Sequence, residues 1–451
     1  MPRRFAALSI GLAGAWMLAA GCAASGSGNH FNGPVFDLDA AAGGDASALL
    51  DAATQPGSPD VAAKTDSSLP EGGTAPDADT TDAAAPADAS PPDAATDGGC
   101  ASITAILGGN DSSSFGATAT GSSAFVVHAL TGGVAAEPAL VAFGGGFEGL
   151  FTEPVDAGGA NALFGVGFSG GAWGTPSALG GNAGAIDAPS IAAVGTTLQA
   201  VYLNAQHLYF HAAFSTGWDT GADPVRPPND AGVTAFGPVR AAAAGTSTEL
   251  VIAYEGNDLH PYAQTWTIGA GWDNGVALGL APLLASTPMA IAALDAGASD
   301  LLAVYVDGEG SASPNNEHLF FALRSATTKA WSAPAMVDPN AYTSSAPTLT
   351  AMSGGRALLA WKGGDGEGYA SVYTAPAWSS PAKVTADQVG GAPSLAPGVC
   401  GDDAVAAYLF NASVYVTRLS GVGADAGGAW TTPAPLAGVA GVTAAAIATA
   451  P

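Results

Sequence analysis

Basic side chains are scarce in this chain: 11 Lys and Arg stand against 38 Asp and Glu in 451 residues, for a formal net charge of -27. A surface so poor in cations cannot displace counterions from a phosphate backbone, which argues against nucleic acid and against charge-driven docking on an anionic membrane. Solubility outside the cell is the simpler use of the acidity. Cysteine is scarcer still, with three in the whole chain, so a dense disulfide scaffold is excluded. Beyond the N-terminus no segment reaches the eighteen or so uninterrupted apolar residues of a spanning helix. Neither a His-Glu-x-x-His helix nor a phosphate-binding loop occurs.

What is present begins with an export signal. Pro2-Arg3-Arg4 leads into an apolar stretch from Phe5 to Ala20, and the small residues of Leu18-Ala-Ala-Gly-Cys22 follow. This end resembles a bacterial lipobox, although leucine lies four residues before the cysteine and Ala19 stands where the family most often has leucine. The resemblance implies a signal peptide over 1–21 and lipidation of Cys22, whose acyl chains would hold the protein on a bilayer. Ala23 after the cysteine implies, by the same resemblance, the outer membrane.

Residues 22–99 are nearly all Ala, Asp, Gly, Pro, Ser and Thr. Such a segment cannot bury enough apolar area to offset the entropy of ordering, and its carboxylates repel. It reads as a disordered linker with a mean span on the order of 50 Å. Phe31-Asn-Gly-Pro-Val-Phe36 is its one aromatic stretch, and it is assigned no role.

From Cys100 the composition turns to Gly-rich, alternating apolar segments, and a repeat emerges at about 50 residues. Each unit opens with a short apolar strand, as in Pro138-Ala-Leu-Val-Ala-Phe and Pro347-Thr-Leu-Thr-Ala-Met. A second strand ends in an aromatic residue at Phe151, Tyr202, Tyr254, Tyr305, Trp361 and Tyr408. A third follows, and the unit closes on Trp173, Trp218, Trp272, Trp331, Trp378 or Trp430. Four short strands per unit predict an all-β domain over 100–451, a β-propeller. Val442-Thr-Ala-Ala-Ala-Ile has the look of a first strand with no unit after it, while strands near Ser102 and Ser123 precede the first full unit. Seven blades with a composite closing blade are expected, six being the alternative. In an oxidising compartment Cys100 and Cys400 are expected to pair across the ring's seam.

The closing pattern Ala377-Trp-Ser-Ser-Pro resembles the ends of sialidase-type Asp-box repeats and of bacterial propeller lectins. Only Asp425-Ala-Gly427 before Trp430 approaches an Asp box, one residue out of register; the domain has only Arg226, Arg240, Arg324, Arg356 and Arg418 where the sialidase family needs an arginine triad, and no Phe-Arg-Ile-Pro-like start. Sialidase activity is therefore disfavoured. Carboxylates of a glycosidase pair can come from distant blades, and Glu153, Glu255, Asp307 and Glu367 follow the aromatic strand ends, where turns also explain them. His207 and His211 fall on one face of an extended strand but lack further ligands for a metal. The repeated tryptophans read as packing between sheets before they read as sugar platforms. Trp361, whose counterparts are Tyr or Phe, is the better ligand candidate, with Lys362 and Asp365 beside it and with Tyr254 and Glu255 as the corresponding pair elsewhere.

These readings favour a monomeric, non-enzymatic module binding a glycan or a protein, with no cofactor, no metal and no catalytic residue. An exo-acting glycoside hydrolase and a structural envelope lipoprotein are the alternatives.

Overall fold

The computed structural model describes residues 102–121, 123–154, 161–179, 185, 187–204, 207–215, 217–219, 223–225, 240–279, 287–295, 297, 299–306, 317–343, 345–399, 403–422 and 428–450. Cys22, Cys100 and Cys400, the linker, Asp307 and Asp425 lie outside them.

Every regular element among the described residues is a strand, and the strands form seven antiparallel sheets. Blade 1 runs outward through Ala139–Phe143, Gly146–Glu153, Ala162–Ser169 and Ala172–Trp173. Blade 2 runs through Ser190–Val194, Thr197–Leu203, Tyr209–Phe214 and Asp223–Pro224, and blade 3 through Ala242–Gly245, Glu249–Glu255, Pro261–Thr267 and Gly271–Trp272. Blade 4 uses Ala290–Ala293, Ser299–Val306, Glu317–Ser325 and Ala335–Met336. Blade 5 uses Thr348–Met352, Arg356–Lys362, Glu367–Thr374 and Ala377–Trp378, with Ala382–Gln388 also paired to its third strand. Blade 6 uses Ser394–Pro397, Ala404–Phe410, Ser413–Ser420 and Ala429–Trp430.

Blade 7 is composite. Its inner strand, Ala444–Ala450, comes from the C-terminal end and pairs with Ile103–Asn110, Ile447 facing Ile106. Ser113–Thr120 and Val126–Leu130 complete it. The ring therefore closes as expected, with seven blades.

Small residues dominate the inner strands because seven of them converge on one axis, and side chains such as Ala139, Ala242, Ala290 and Ala446 line the channel there. Proline opens several of these strands, at Pro138, Pro189, Pro347 and Pro393, where no ladder N–H is needed. The cores lie between the blades. Each buried cluster draws on neighbouring sheets, as where Leu302, Val304 and Leu319 of blade 4 meet Ala357, Leu359 and Trp361 of blade 5.

Two aromatic columns hold this arrangement. In six blades the aromatic end of the second strand stacks on an aromatic partner directly across the third. Phe151–Phe164, Tyr202–Phe210, Tyr254–Tyr262, Tyr305–Phe320, Trp361–Tyr369 and Tyr408–Tyr415 have ring planes only 14° to 20° apart. The closing tryptophans form the second column, each reaching back to the preceding blade. Trp173 rests on Gly116 and Trp218 on Gly165, so tightly that a Cβ on Gly116 would lie 2.3 Å from the indole. Trp272 meets His211 edge-on, and Trp378 meets Phe321 likewise. Wedge packing is thus the role of these tryptophans.

Candidate functional site

The channel on the ring axis has a volume of about 210 Å³, and no carboxylate of the described residues lines it. Arg240 is its charged lining residue, paired with Glu137 at 2.5 Å, and its backbone N–H donates to Asp187 Oδ2 at 2.7 Å. The carboxylates singled out in the sequence do not meet there. Glu153 lies against Gly132, Glu255 is buried within blade 3, and Glu367 sits at the tip of blade 5. The string Gly167-Phe-Ser-Gly-Gly171 has the spacing of a serine-nucleophile elbow. Ser169, however, ends a strand that turns through Gly170 and Gly171, at φ of 59° and 83°, into another strand and not into a helix.

The two histidines expected on one strand face are separated. His207 occupies a turn at φ 56°, ahead of the strand that starts at Tyr209. His211 points inward, with ring centroids 4.8 Å from Trp266 and 5.6 Å from Trp272 and Nε2 2.5 Å from Gln199 Oε1. No metal-binding group of side chains occurs among the described residues.

A larger cavity, about 470 Å³, opens between blades 4 and 5. The hairpin joining the second and third strands of blade 5 builds one wall. Gly363 N–H donates to Glu367 O at 2.8 Å and Gly366 N–H to Gly363 O at 2.9 Å, and Gly366 adopts φ 86°, a conformation that favours glycine. This turn presents Asp365. Its Oδ1 accepts from Glu367 N–H at 3.1 Å and its Oδ2 from the Tyr369 hydroxyl at 2.7 Å. Glu367 pairs with Lys383, whose Nζ lies 5.9 Å from the centre of the Tyr369 ring. Blade 4 supplies the opposite wall through Asn340 and Tyr342, the latter packed on His318 at 4.7 Å. Ser380 and Pro381 close the outer side.

The electrostatics keep Asp365 ionised. Slight burial raises its pKa, but the Tyr369 hydroxyl, the Glu367 N–H and the nearby Lys383 outweigh this and hold it below the usual carboxylate value. The hydrogen bond to Asp365, with some desolvation, pushes Tyr369 up, so the phenol stays a donor. The cavity therefore offers aromatic surface from Tyr342 and Tyr369, a fixed anionic acceptor, and neutral polar groups at Asn340 and Ser380.

Of the residues expected from sequence, Trp361 and Asp365 line this cavity together. Trp361 is only 1% exposed and forms its floor, its ring face being taken by Tyr369 at 6.0 Å. Lys362 alternates to the other side of the strand and is not part of the lining. Tyr254 and Glu255 are fully buried. At their junction, between blades 2 and 3, Tyr209 stands edge-on to Tyr254 at 5.7 Å, whereas at the junction of blades 4 and 5 the cluster around Trp361 includes the aliphatic Val306, Leu319 and Val337. Asn340, Tyr342 and Tyr369 were missed. One signal was available: Gly363-Gly-Asp-Gly-Glu-Gly-Tyr369 repeats the spacing of Gly256-Asn-Asp-Leu-His-Pro-Tyr262, where Tyr262 likewise donates to Asp258 at 2.9 Å.

Solved structures share this architecture. The BP39L lectin from Burkholderia pseudomallei superposes with a TM-score of 0.56 at 14% identity, covering 74% of this chain and 95% of the lectin. The chain shares this lectin's propeller fold. The AofleA protein of Arthrobotrys oligospora follows with a TM-score of 0.44 at 13% identity, over 69% of this chain and 89% of its own. The NanB sialidase from Streptococcus pneumoniae is more distant, with a TM-score of 0.35 at 8% identity over 45% of this chain and 32% of its own. No family model and no curated protein matches the chain.

Proposed function

We propose that the propeller is a non-enzymatic carbohydrate-binding module, displayed on the cell envelope by lipidated Cys22 and the acidic linker over 22–99. The observation that carries the binding half is the cavity between blades 4 and 5. Sugar rings offer apolar C–H faces that suit the Tyr342 and Tyr369 rings, and hydroxyls that donate to a charged acceptor such as Asp365. A cavity of this size belongs in the range that takes small ligands. Its likeness in fold to a lectin supports the same reading. For a monosaccharide of about 12 heavy atoms at about -0.3 kcal/mol per atom, a single site binds in the millimolar range.

Two experiments test the two halves. Glycan-array binding of the mature chain, displayed in many copies on a particle so that avidity offsets a millimolar site, is expected to give signals on a defined set of sugars, and background on every sugar would overturn the lectin reading. Mass spectrometry of the N-terminal peptide is expected to show acylated Cys22. An unmodified peptide starting elsewhere would remove the anchor.

A further inference from the structure

The cavity between blades 4 and 5 holds one carboxylate that no cation claims. Asp365 Oδ1 takes the Glu367 N–H at 3.1 Å, and Oδ2 takes the Tyr369 hydroxyl at 2.7 Å. An ionised carboxylate accepts about four hydrogen bonds, so each oxygen keeps a lone pair for a ligand. The Tyr369 hydroxyl also lies 3.2 Å from Glu367 Oε2, and Glu367 itself pairs with Lys383. Two carboxylates thus share one phenol and one ammonium, which leaves an excess negative charge at Asp365. Lys383 acts on Asp365 only from outside the lining, already engaged by Glu367 and by the Tyr369 ring.

The rest of the chain does not reverse this sign. No Lys, Arg or His is among the lining residues. Of the Lys and Arg in 100–451, only Arg226 lies outside the described residues, in the stretch between blades 2 and 3. The stretch 307–316, which links the second and third strands of blade 4, carries Asp307 and Glu309 and no basic residue. The aromatic walls favour the same ligand, because the faces of tyrosine rings attract cations, as Lys383 Nζ at 5.9 Å from the Tyr369 centroid illustrates. A neutral sugar leaves the charge of Asp365 unanswered, and an acidic sugar sets carboxylate against carboxylate.

We propose that this cavity prefers sugars bearing a free, protonated amine, with the ammonium on Asp365 and the sugar ring against Tyr342 and Tyr369. The proposal rests on the carbohydrate-binding reading above and narrows it to amino sugars.

The test is calorimetric titration of the mature chain at about pH 6, where a sugar amine is protonated. The probes are the methyl glycosides of glucosamine, galactosamine and mannosamine, each beside its N-acetylated form and its neutral parent hexose. At least one amine is expected to bind about tenfold or more tighter than both of its counterparts, the gain of a charge-assisted contact. Asp365→Asn should erase that preference, and a preference that persists in the folded variant overturns the proposal. Should the variant fail to fold, raising salt from about 0.05 M to about 0.5 M must narrow the preference of the parent chain, and indifference to salt overturns it. Neutral or N-acetylated forms that bind as tightly as the amines overturn the proposal and leave the carbohydrate reading standing. Absence of saturable binding by every probe overturns it too, and array signals on other sugars would then still uphold the broader reading.

Discussion

Trp361 lies flat against Tyr369, the ring centroids 6.0 Å apart and the planes 20° apart. This contact divides the labour at the candidate site. The tryptophan face is spent on packing, while Tyr369 keeps a partly exposed ring and holds Asp365 with its hydroxyl. Trp361→Ala is therefore expected to act on the fold, costing about 3–5 kcal/mol of stability. Tyr369→Phe retains the stacked ring and is expected to cost about 1 kcal/mol, with sugar affinity falling as Asp365 loses its clamp. Chemical denaturation of both variants, with sugar titration of the second, checks the division.

Gly165 exists for the sake of Trp218. A Cβ there would stand 2.7 Å from the indole nitrogen. Gly165→Ala should cost about 1–3 kcal/mol, and adding Trp218→Phe should recover part of that loss, a coupling visible in a double-mutant cycle. Strict additivity would contradict the wedge role.

Glu148 gives the junction of blades 1 and 2 a pH dependence. Burial raises its carboxyl from 4.5 to about 7, and the Trp218 indole draws it only part of the way back. A folded-state pKa above the unfolded one means stability fully present below 4.5 and lost as pH rises through about 7. Glu148→Gln has no charge to bury. It should match the parent near pH 4 and exceed it by roughly 2–3 kcal/mol near pH 9. Melting curves across that range decide it, and parallel curves would contradict the account.

Arg324 is buried between blades 3 and 4, donating to Asp300 at 2.9 Å and to Glu249 at 2.7 Å, with Lys329 also on Asp300. Burial raises the Asp300 pKa, but the two cations outweigh it and hold the carboxyl below 3.8. Its contribution is present above 3.8 and lost as pH falls through the lowered folded value. Arg324→Met leaves Asp300 and Glu249 only the half-exposed Lys329 as a cation and should cost roughly 1–3 kcal/mol at neutral pH. It should also flatten the acid limb of the stability curve.

The fold was legible because its period is written in residues that do packing work. The tryptophans and the aromatic strand ends recur in six blades, and the unmatched strand at Val442 announced the composite closure. The site was legible only in part. Asp365 follows Trp361 at a spacing shared with Asp258 and Tyr254, but sequence could not show that Tyr209 packs on Tyr254 at one junction while a cavity opens at the other. Asn340 and Tyr342 reach the cavity from a neighbouring blade, a contact that no local pattern encodes. The His207 and His211 reading failed because the strand begins at Tyr209, after a turn, and alternation does not apply across it.

Asp365 is the charged acceptor of the proposed sugar site, so its neutral isostere is the sharpest probe. Calorimetric titration of the mature chain with the best array ligand, beside Asp365→Asn, reads it directly. Saturable binding that weakens about tenfold or more in the variant, with the melting temperature lowered by only a few degrees, is the predicted result. Equal affinity in a folded Asp365→Asn variant would contradict the account.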